Sequence, residues 1–124
     1  MRLADLTIET KGLVVVARLR GDVDMSNAGR LRDELNAATR NETLGLVLDL
    51  SEVGYVDSAG IHLIHRLRSG LHTHGQQLRL VIPADSLIND TLRLAGLDWD
   101  EEVVRNPAAG EDEILLGAEG SSSP

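Results

Sequence analysis

The chain has 124 residues, which is enough for one domain with a sizeable hydrophobic core. It contains no cysteine, so disulfides, thiolate catalysis and cysteine-ligated zinc are excluded. The net charge of −8 argues against non-specific binding to nucleic acid or to an anionic membrane, although an acidic surface suits a basic partner. No apolar run approaches the ~20 residues of a membrane span, and the amino terminus lacks the apolar core of a signal peptide. We therefore expect a cytoplasmic protein.

The first third of the chain predicts a β-hairpin followed by a helix. Leu3 to Thr10 alternates weakly, Leu13 to Leu19 is rich in valine, and a lysine–glycine turn joins them as antiparallel strands. Residues 21–27 form a polar loop in which Ser26 or Asn27 is suited to cap a helix. Apolar residues at helical spacing then predict the first helix: Ala28, Leu31, Leu35 and Ala38.

The most informative stretch joins a buried strand to a second helix. Residues 44–50 form an apolar run that is typical of a strand buried on both faces, as in a parallel sheet. After Ser58, apolar residues recur at helical spacing, and Gly75 ends the helix. This arrangement predicts Ser58 as a helix cap at the carboxyl end of a buried strand, where open α/β sheets usually place their functional residues.

The last third predicts shorter elements. A strand covers residues 78–82, and a third helix runs from about residue 85 to residue 95, with a glycine stop at residue 96. Residues 103 and 104 suit an edge strand, and Pro107 to Leu116 suits a last helix with Ile114 and Leu115 inward. Residues 117–124 are small and polar and predict a disordered tail.

These elements predict one α/β layered domain over residues 1–116. We expect a mixed β-sheet of four to five strands packed against about four helices, with an antiparallel first pair.

Two interpretations of Ser58 follow from its place in the chain. It is a plain helix cap, worth about 1 kcal/mol, or it accepts a phosphate. A helix amino terminus tolerates a dianion because free N–H groups and the helix dipole favour negative charge. A role as hydrolase nucleophile is disfavoured, because the surrounding sequence is not Gly-x-Ser-x-Gly and no histidine is an evident base.

Acidic residues flank this position. Asp57 precedes Ser58, and Asp22 and Asp24 lie in the loop after the second strand. If that strand is parallel to residues 44–50, its loop emerges at the same edge of the sheet as Ser58. The three aspartates then form an acidic, exposed surface; otherwise they are turn residues or caps.

The four histidines lie on or just after the Ser58 helix, and they are His62, His65, His72 and His74. The first two share a helix face, but no third and fourth ligand at a metal-site spacing is evident, so we expect no metal. Glycine-rich nucleotide motifs are also lacking, since there is neither Gly-x-Gly-x-x-Gly nor Gly-Lys-Ser/Thr. We therefore expect no cofactor.

Several motifs together resemble the STAS domain (sulfate transporter and anti-sigma factor antagonist), and within it the free-standing anti-anti-sigma factors of bacteria. The motifs are residues 19–24, Leu-Arg-Gly-Asp-Val-Asp, residues 46–61, residues 78–81 and residues 94–97. The second contains Asp57-Ser58-Ala59-Gly60, which matches the family's phosphorylation signature at a strand-to-helix join. The resemblance runs from about residue 6 to residue 116.

The resemblance implies a partner-switching regulator of transcription rather than an enzyme. The unphosphorylated protein would bind an anti-sigma factor that is also a serine kinase, and so release a sigma factor. The kinase would then phosphorylate Ser58 and end the interaction, and a metal-dependent serine phosphatase would reset the switch. Asp24 matches the family's loop aspartate, and Ala59 stands where the family often has Ser or Thr, which leaves Ser58 as the acceptor. We expect a monomer or a weak dimer.

We expect the partner to contact the polar loop and the exposed edge of the Ser58 helix. The expected partner-binding residues are Asp22, Asp24, Ser26, Asn27, Asp57, Ser58, Ala59, Gly60, His62 and Arg66. Three alternatives stay open: a STAS module of another signalling or transport complex, a small enzyme or nucleotide-binding protein, and an unphosphorylated scaffold.

Overall fold

A five-stranded sheet lies at the centre of the fold. The computed structural model of the protein describes residues 4–39, 42–97 and 99–121. The strands are β1 (Asp5–Lys11), β2 (Val14–Val23), β3 (Gly45–Val56), β4 (Gln77–Val81) and β5 (Val103–Val104), and they lie side by side in chain order. β1 pairs with β2 in antiparallel fashion, and every other pair is parallel. The predicted hairpin, mixed sheet and edge strand are confirmed.

The helices alternate with the parallel strands. They are α1 (Ala28–Ala38), α2 (Ser58–Thr73), α3 (Asn89–Leu94), α4 (Trp99–Glu102) and α5 (Pro107–Ser121). The sequence does not predict α4, because four residues are too few to show an apolar period. Gly75 and Gly96 have positive φ angles of 70° and 79° directly after the C-caps of α2 and α3, as the glycine stops predict.

The sheet is covered on both faces, which explains its continuous apolar runs. On one face, a large core joins alternate residues of β2, β3 and β4 to apolar residues of α1, α2 and α3. On the other face, Val14, Val16 and Val47 pack with Ile114 of α5 in a smaller core. The alternation along β2 follows the period of two in a strand, with Val15 and Ala17 in the large core.

β2 and β3 are longer than their apolar runs predict. β2 continues through Gly21 to Val23, so Asp22 lies within a strand and not in a loop. It pairs with Tyr55 of β3, and two register irregularities occur just before this pair. Burial alternates along β2 from Ala17 to Val23, but Gly21 and Asp22 are residue types that favour turns, and this hid the extension.

α5 differs from its prediction in two ways. It continues to Ser121, past the predicted domain end at residue 116, and residues 122–124 of the predicted tail lie outside the described residues. Its packed face includes Gly110 against Val47, buried Ile114, and Gly117 against Gln77. Leu115 is 45% exposed, so its inward prediction is wrong. Glycines allow this helix to pack closely, but they add no apolar side chain to the helical pattern in the sequence. The sequence pattern therefore shows neither the full length of the helix nor its packed face.

Candidate functional site

The ends of β2 and β3 bring two chain segments together at one edge of the sheet. Because the two strands are parallel and pair as far as Val23 and Val56, the β2–α1 loop and the β3–α2 join leave the sheet side by side. The backbone N–H of Asp57 donates to the carbonyl of Val23 at 3.1 Å. The backbone N–H of Met25 donates to Oδ2 of Asp57 at 3.2 Å. The predicted proximity of the aspartate loop and the Ser58 helix is confirmed.

Asp57 caps α2. Its backbone is extended, and its Oδ1 accepts hydrogen bonds from the N–H groups of Ala59 at 2.9 Å and Gly60 at 3.1 Å. The prediction that Ser58 is the cap is therefore wrong, since Ser58 is the first residue of the helix. A carboxylate has two acceptor oxygens, so Asp57 holds the helix start with one and the β2–α1 loop with the other.

Ser58 lies exposed at the start of α2. Its hydroxyl has no hydrogen-bond partner within the part of the chain that the structure describes. The expectation of free N–H groups at this helix start is only partly met, because Asp57 accepts hydrogen bonds from two of them. Ser58 is therefore accessible, and the residue directly before it carries a carboxylate.

The β2–α1 loop is held together by its own side chains. Oδ1 of Asp24 accepts hydrogen bonds from the N–H and the hydroxyl of Ser26. Oδ1 of Asn27 accepts from the N–H of Asp24 at 3.1 Å, and its Nδ2 donates to the carbonyl of Asp22 at 2.9 Å. Asn27 occupies the N-cap position of α1, but its side chain makes no capping hydrogen bond. The predicted cap position is therefore confirmed for Asn27, but the expected side-chain hydrogen bond to the helix is not formed.

Burial separates these loop residues into two groups. Asp24 and Asn27 are only 9% and 8% exposed, so they shape the loop from within. Ser26 is exposed, and Met25 beside it is 82% exposed. The sequence analysis missed Met25, although a lone large apolar residue in a polar loop was a usable signal.

The outer face of α2 lines a groove against α1. Ala59, His62 and Arg66 form one wall, and Met25 and Arg32 lie on the side of the β2–α1 loop and α1. His62 and Arg66 are exposed, and Nε of Arg66 donates to Nε2 of His62 at 2.8 Å. Arg32 is a second residue that the sequence analysis missed, because nothing in its helical spacing sets it apart from its charged neighbours.

Gly60 lies beneath this surface and not on it. It is buried, and a Cβ at this position would lie 2.6 Å from Cγ1 of Val56 and 3.0 Å from Cγ1 of Val23. The absence of a side chain therefore lets α2 begin close to the ends of both strands. The structure assigns Gly60 a packing role, in contrast to the direct partner contact that the sequence analysis expects.

The histidines do not converge. His65 lies within hydrogen-bond distance of the Ala95 carbonyl, and Nδ1 of His74 within that of the Gly70 carbonyl. Among the described residues, no group of three or more His, Cys, Asp or Glu side chains is placed to hold a metal ion. In the same residues, no helix is long and apolar enough to cross a membrane.

Comparison with known proteins identifies the family. Residues 6–105 match a family model described as "Mlab, STAS domain". The structure is similar to an anti-sigma factor antagonist from Mycobacterium paratuberculosis, with a TM-score of 0.76 and 21% identity over 94% of this chain and 95% of that chain. It is also similar to the anti-sigma factor antagonist SpoIIAA in its unphosphorylated form, with a TM-score of 0.68 and 18% identity over 94% and 99% of the two chains.

A third similar structure is the murine Slc26a9 anion transporter in its inward-facing state. The TM-score is 0.74 and the identity is 20%, over 87% of this chain and 18% of that chain. The same fold thus occurs both as a whole protein and as one part of a transporter. The family model covers most of the chain. Two of the four motifs of the resemblance, residues 19–24 and 46–61, lie in the two parallel strands, their joined loops and the start of the capped helix. The chain belongs to the STAS-domain family.

Proposed function

We propose that the protein is an anti-sigma factor antagonist that is switched by phosphorylation of Ser58. The unphosphorylated form binds an anti-sigma factor that is also a serine kinase, and a sigma factor is released. The observation that carries the proposal is the exposed Ser58 hydroxyl, which has no hydrogen-bond partner among the described residues and lies where two loops meet. The likeness to two anti-sigma factor antagonists supports it, one of them named by its unphosphorylated form.

The partner contacts the exposed residues around Ser58. Met25 and Ser26 supply the loop side of this surface, and His62 and Arg66 supply the helix side. The other residues expected at the interface act from below. Asp22, Asp24 and Asn27 fix the shape of the loop, Asp57 fixes the start of the helix, Gly60 sets its distance from the sheet, and Ala59 lines the groove.

Phosphorylation weakens binding through charge and not through a change of fold. A phosphate adds about two negative charges, and the carboxylate of Asp57 is already beside it. Ser58 has no part in the core, so the sheet and the helices stay as they are. In a partly desolvated interface the added repulsion is on the order of a few kcal/mol. About 3 kcal/mol corresponds to roughly a hundredfold loss of affinity.

The proposal is tested by phosphorylation in vitro. Anti-sigma factors of the same organism are purified, incubated one at a time with the protein and ATP, and the product is mapped by mass spectrometry. We expect phosphate on Ser58 and none on the Ser58→Ala variant. Ser69→Ala is the matched control, because Ser69 is an exposed serine on the same helix. Phosphate on another residue, or on none with every anti-sigma factor, would contradict the switch.

The likeness to the anion transporter favours a second candidate, a STAS module of a transport complex. Its partner would be a membrane protein, and binding would not depend on the state of Ser58. Equal affinity of Ser58→Ala and Ser58→Asp for a membrane partner, with no binding to any anti-sigma factor, would support this candidate. Ester or nucleotide hydrolysis by the protein alone, lost in Ser58→Ala, would instead indicate an enzyme.

A further inference from the structure

Ser58, His62 and Arg66 follow one another along one face of α2. They are four residues apart at each step, so each lies about one turn beyond the last. Side chains on a helix point toward its amino terminus, which directs Arg66 toward His62 and His62 toward Ser58. The first of these two contacts is formed, since Nε of Arg66 donates to Nε2 of His62 at 2.8 Å.

This hydrogen bond gives the two ring nitrogens of His62 different roles. Because Nε2 accepts the hydrogen bond from Arg66, the donor N–H of the ring is on Nδ1. Within the described residues, that Nδ1–H has no hydrogen-bond partner. The His62 ring therefore offers a donor at one nitrogen while it is held by a cation at the other.

The charge of Arg66 is not neutralised by a nearby carboxylate. Arg66 forms no salt bridge with any side chain that the structure describes. On the neighbouring helix, in contrast, Arg30 pairs with Glu34 and Arg32 pairs with Asp33. In a chain with a net charge of −8, an exposed arginine of this kind is an available partner for an anion.

A phosphate on Ser58 has few donors at the helix start itself. Asp57 already accepts the N–H groups of Ala59 and Gly60, and the N–H of Ile61 donates to the carbonyl of Asp57. A phosphate that replaced this cap would have to displace a carboxylate that also holds Met25. The donors that stay open lie one and two turns along the same face of the helix.

We propose that His62 and Arg66 form a binding site for the phosphoryl group of phosphorylated Ser58. Nδ1–H of His62 donates to a phosphate oxygen, and Arg66 holds the ring and supplies the balancing positive charge. The inference rests on the proposed function, because it requires phosphorylation of Ser58. It also has a consequence for partner binding. The phosphate draws to itself two side chains that the unphosphorylated protein presents to its partner, so that phosphorylation both adds negative charge and removes contacts.

The test uses the whole chain with phosphoserine incorporated at position 58 during translation, so it does not depend on any kinase. The second pKa of the phosphoserine is measured by phosphorus NMR in this protein and in its His62→Gln and Arg66→Gln variants. We expect the parent pKa to be lower than in either variant by about half a unit or more, because a nearby cation and a donor favour the dianion. The carboxylates of Asp57 and Asp24 raise the phosphoserine pKa and the charge of Arg32 lowers it, but all three residues are present in every sample.

Arg30→Gln is the matched control, since it removes the same charge from an exposed arginine on α1. It should leave the phosphoserine pKa as in the parent. Nitrogen NMR of labelled histidine gives an independent signal. The chemical shift of Nδ1 of His62 should change on phosphorylation in the parent, and it should change less in Arg66→Gln. Equal phosphoserine pKa values in the parent, His62→Gln and Arg66→Gln would overturn the site. Failure of every kinase to modify Ser58 would instead overturn the proposed function and leave this site standing.

Discussion

The two loops at the functional edge start their helices in opposite ways. At the β3–α2 join, the side chain of Asp57 turns forward and accepts hydrogen bonds from its own helix. At the β2–α1 loop, the side chain of Asn27 turns back and bonds the loop that precedes it. The first arrangement fixes where α2 and Ser58 begin, and the second fixes the shape of a neighbouring loop. A rigid position for Ser58 therefore comes from one junction, and the surface beside it comes from the other.

The first-turn glycines show the same contrast. Gly60 of α2 is enclosed by Val56 and Val23, whereas a Cβ on Gly29 of α1 would meet nothing within 4 Å. The glycine in the first turn of α2 therefore packs directly on the ends of two strands, whereas the glycine in the first turn of α1 faces open space.

The largest effect is expected from Gly60→Ala. The added methyl group would lie 2.6 Å from Cγ1 of Val56 and 3.2 Å from the carbonyl oxygen of Val23. Overpacking of this kind should lower the free energy of unfolding by about 2–3 kcal/mol. Urea unfolding measures the change.

Gly29→Ala is the control for that substitution. Because the site is open and helical, the variant should be more stable than the parent by about 0.5 kcal/mol. Equal changes in the free energy of unfolding of the two variants would contradict the difference in packing around the two glycines.

A somewhat smaller effect is expected from Asp57→Ala. The substitution removes the acceptor of three backbone N–H groups, those of Met25, Ala59 and Gly60. Loss of such a cap should cost about 2 kcal/mol of unfolding free energy. Asp57→Asn keeps one acceptor oxygen for the helix and should cost less. Urea unfolding of both variants checks the order, and an equal loss in both would show that the cap geometry does not matter.

Asn27→Ala should have the smallest effect of the three. It leaves the carbonyl of Asp22 and the N–H of Asp24 without their side-chain partner, at a cost of about 1 kcal/mol. Hydrogen exchange should become faster in the β2–α1 loop, while α1 itself stays protected because Asn27 is not its side-chain cap. Faster exchange at the start of α1 would instead mean that the side chain does cap that helix.

Much of the fold was readable from the sequence, because its signals are local. Valine and leucine runs marked β2, β3 and β4, and the lysine–glycine turn marked the hairpin. The extensions of β2 and β3 were not readable, because Gly21 and Asp22 in β2 and Ser51 and Gly54 in β3 are residue types that favour turns. α5 was misjudged because Gly110 and Gly117 pack by close approach and not by apolar area.

The site was partly predictable for a similar reason. The strand-to-helix join located Ser58, and the parallel strands located the loop beside it. The cap was assigned to the wrong residue, because Asp and Ser are both good caps and only backbone geometry distinguishes them. The bond from Met25 to Asp57 and the burial of Asp24 and Asn27 depend on contacts between segments far apart in the chain. No local pattern reports such contacts.

In the proposed function, phosphorylation of Ser58 decides the affinity of the protein for the anti-sigma factor. The direct measurement is the Kd of the anti-sigma factor kinase for the protein with and without phosphate on Ser58, with Ser69→Ala carried through the same steps. We predict binding that is roughly a hundredfold weaker after phosphorylation, with the same fold by circular dichroism. Equal Kd values for the two forms would contradict the account.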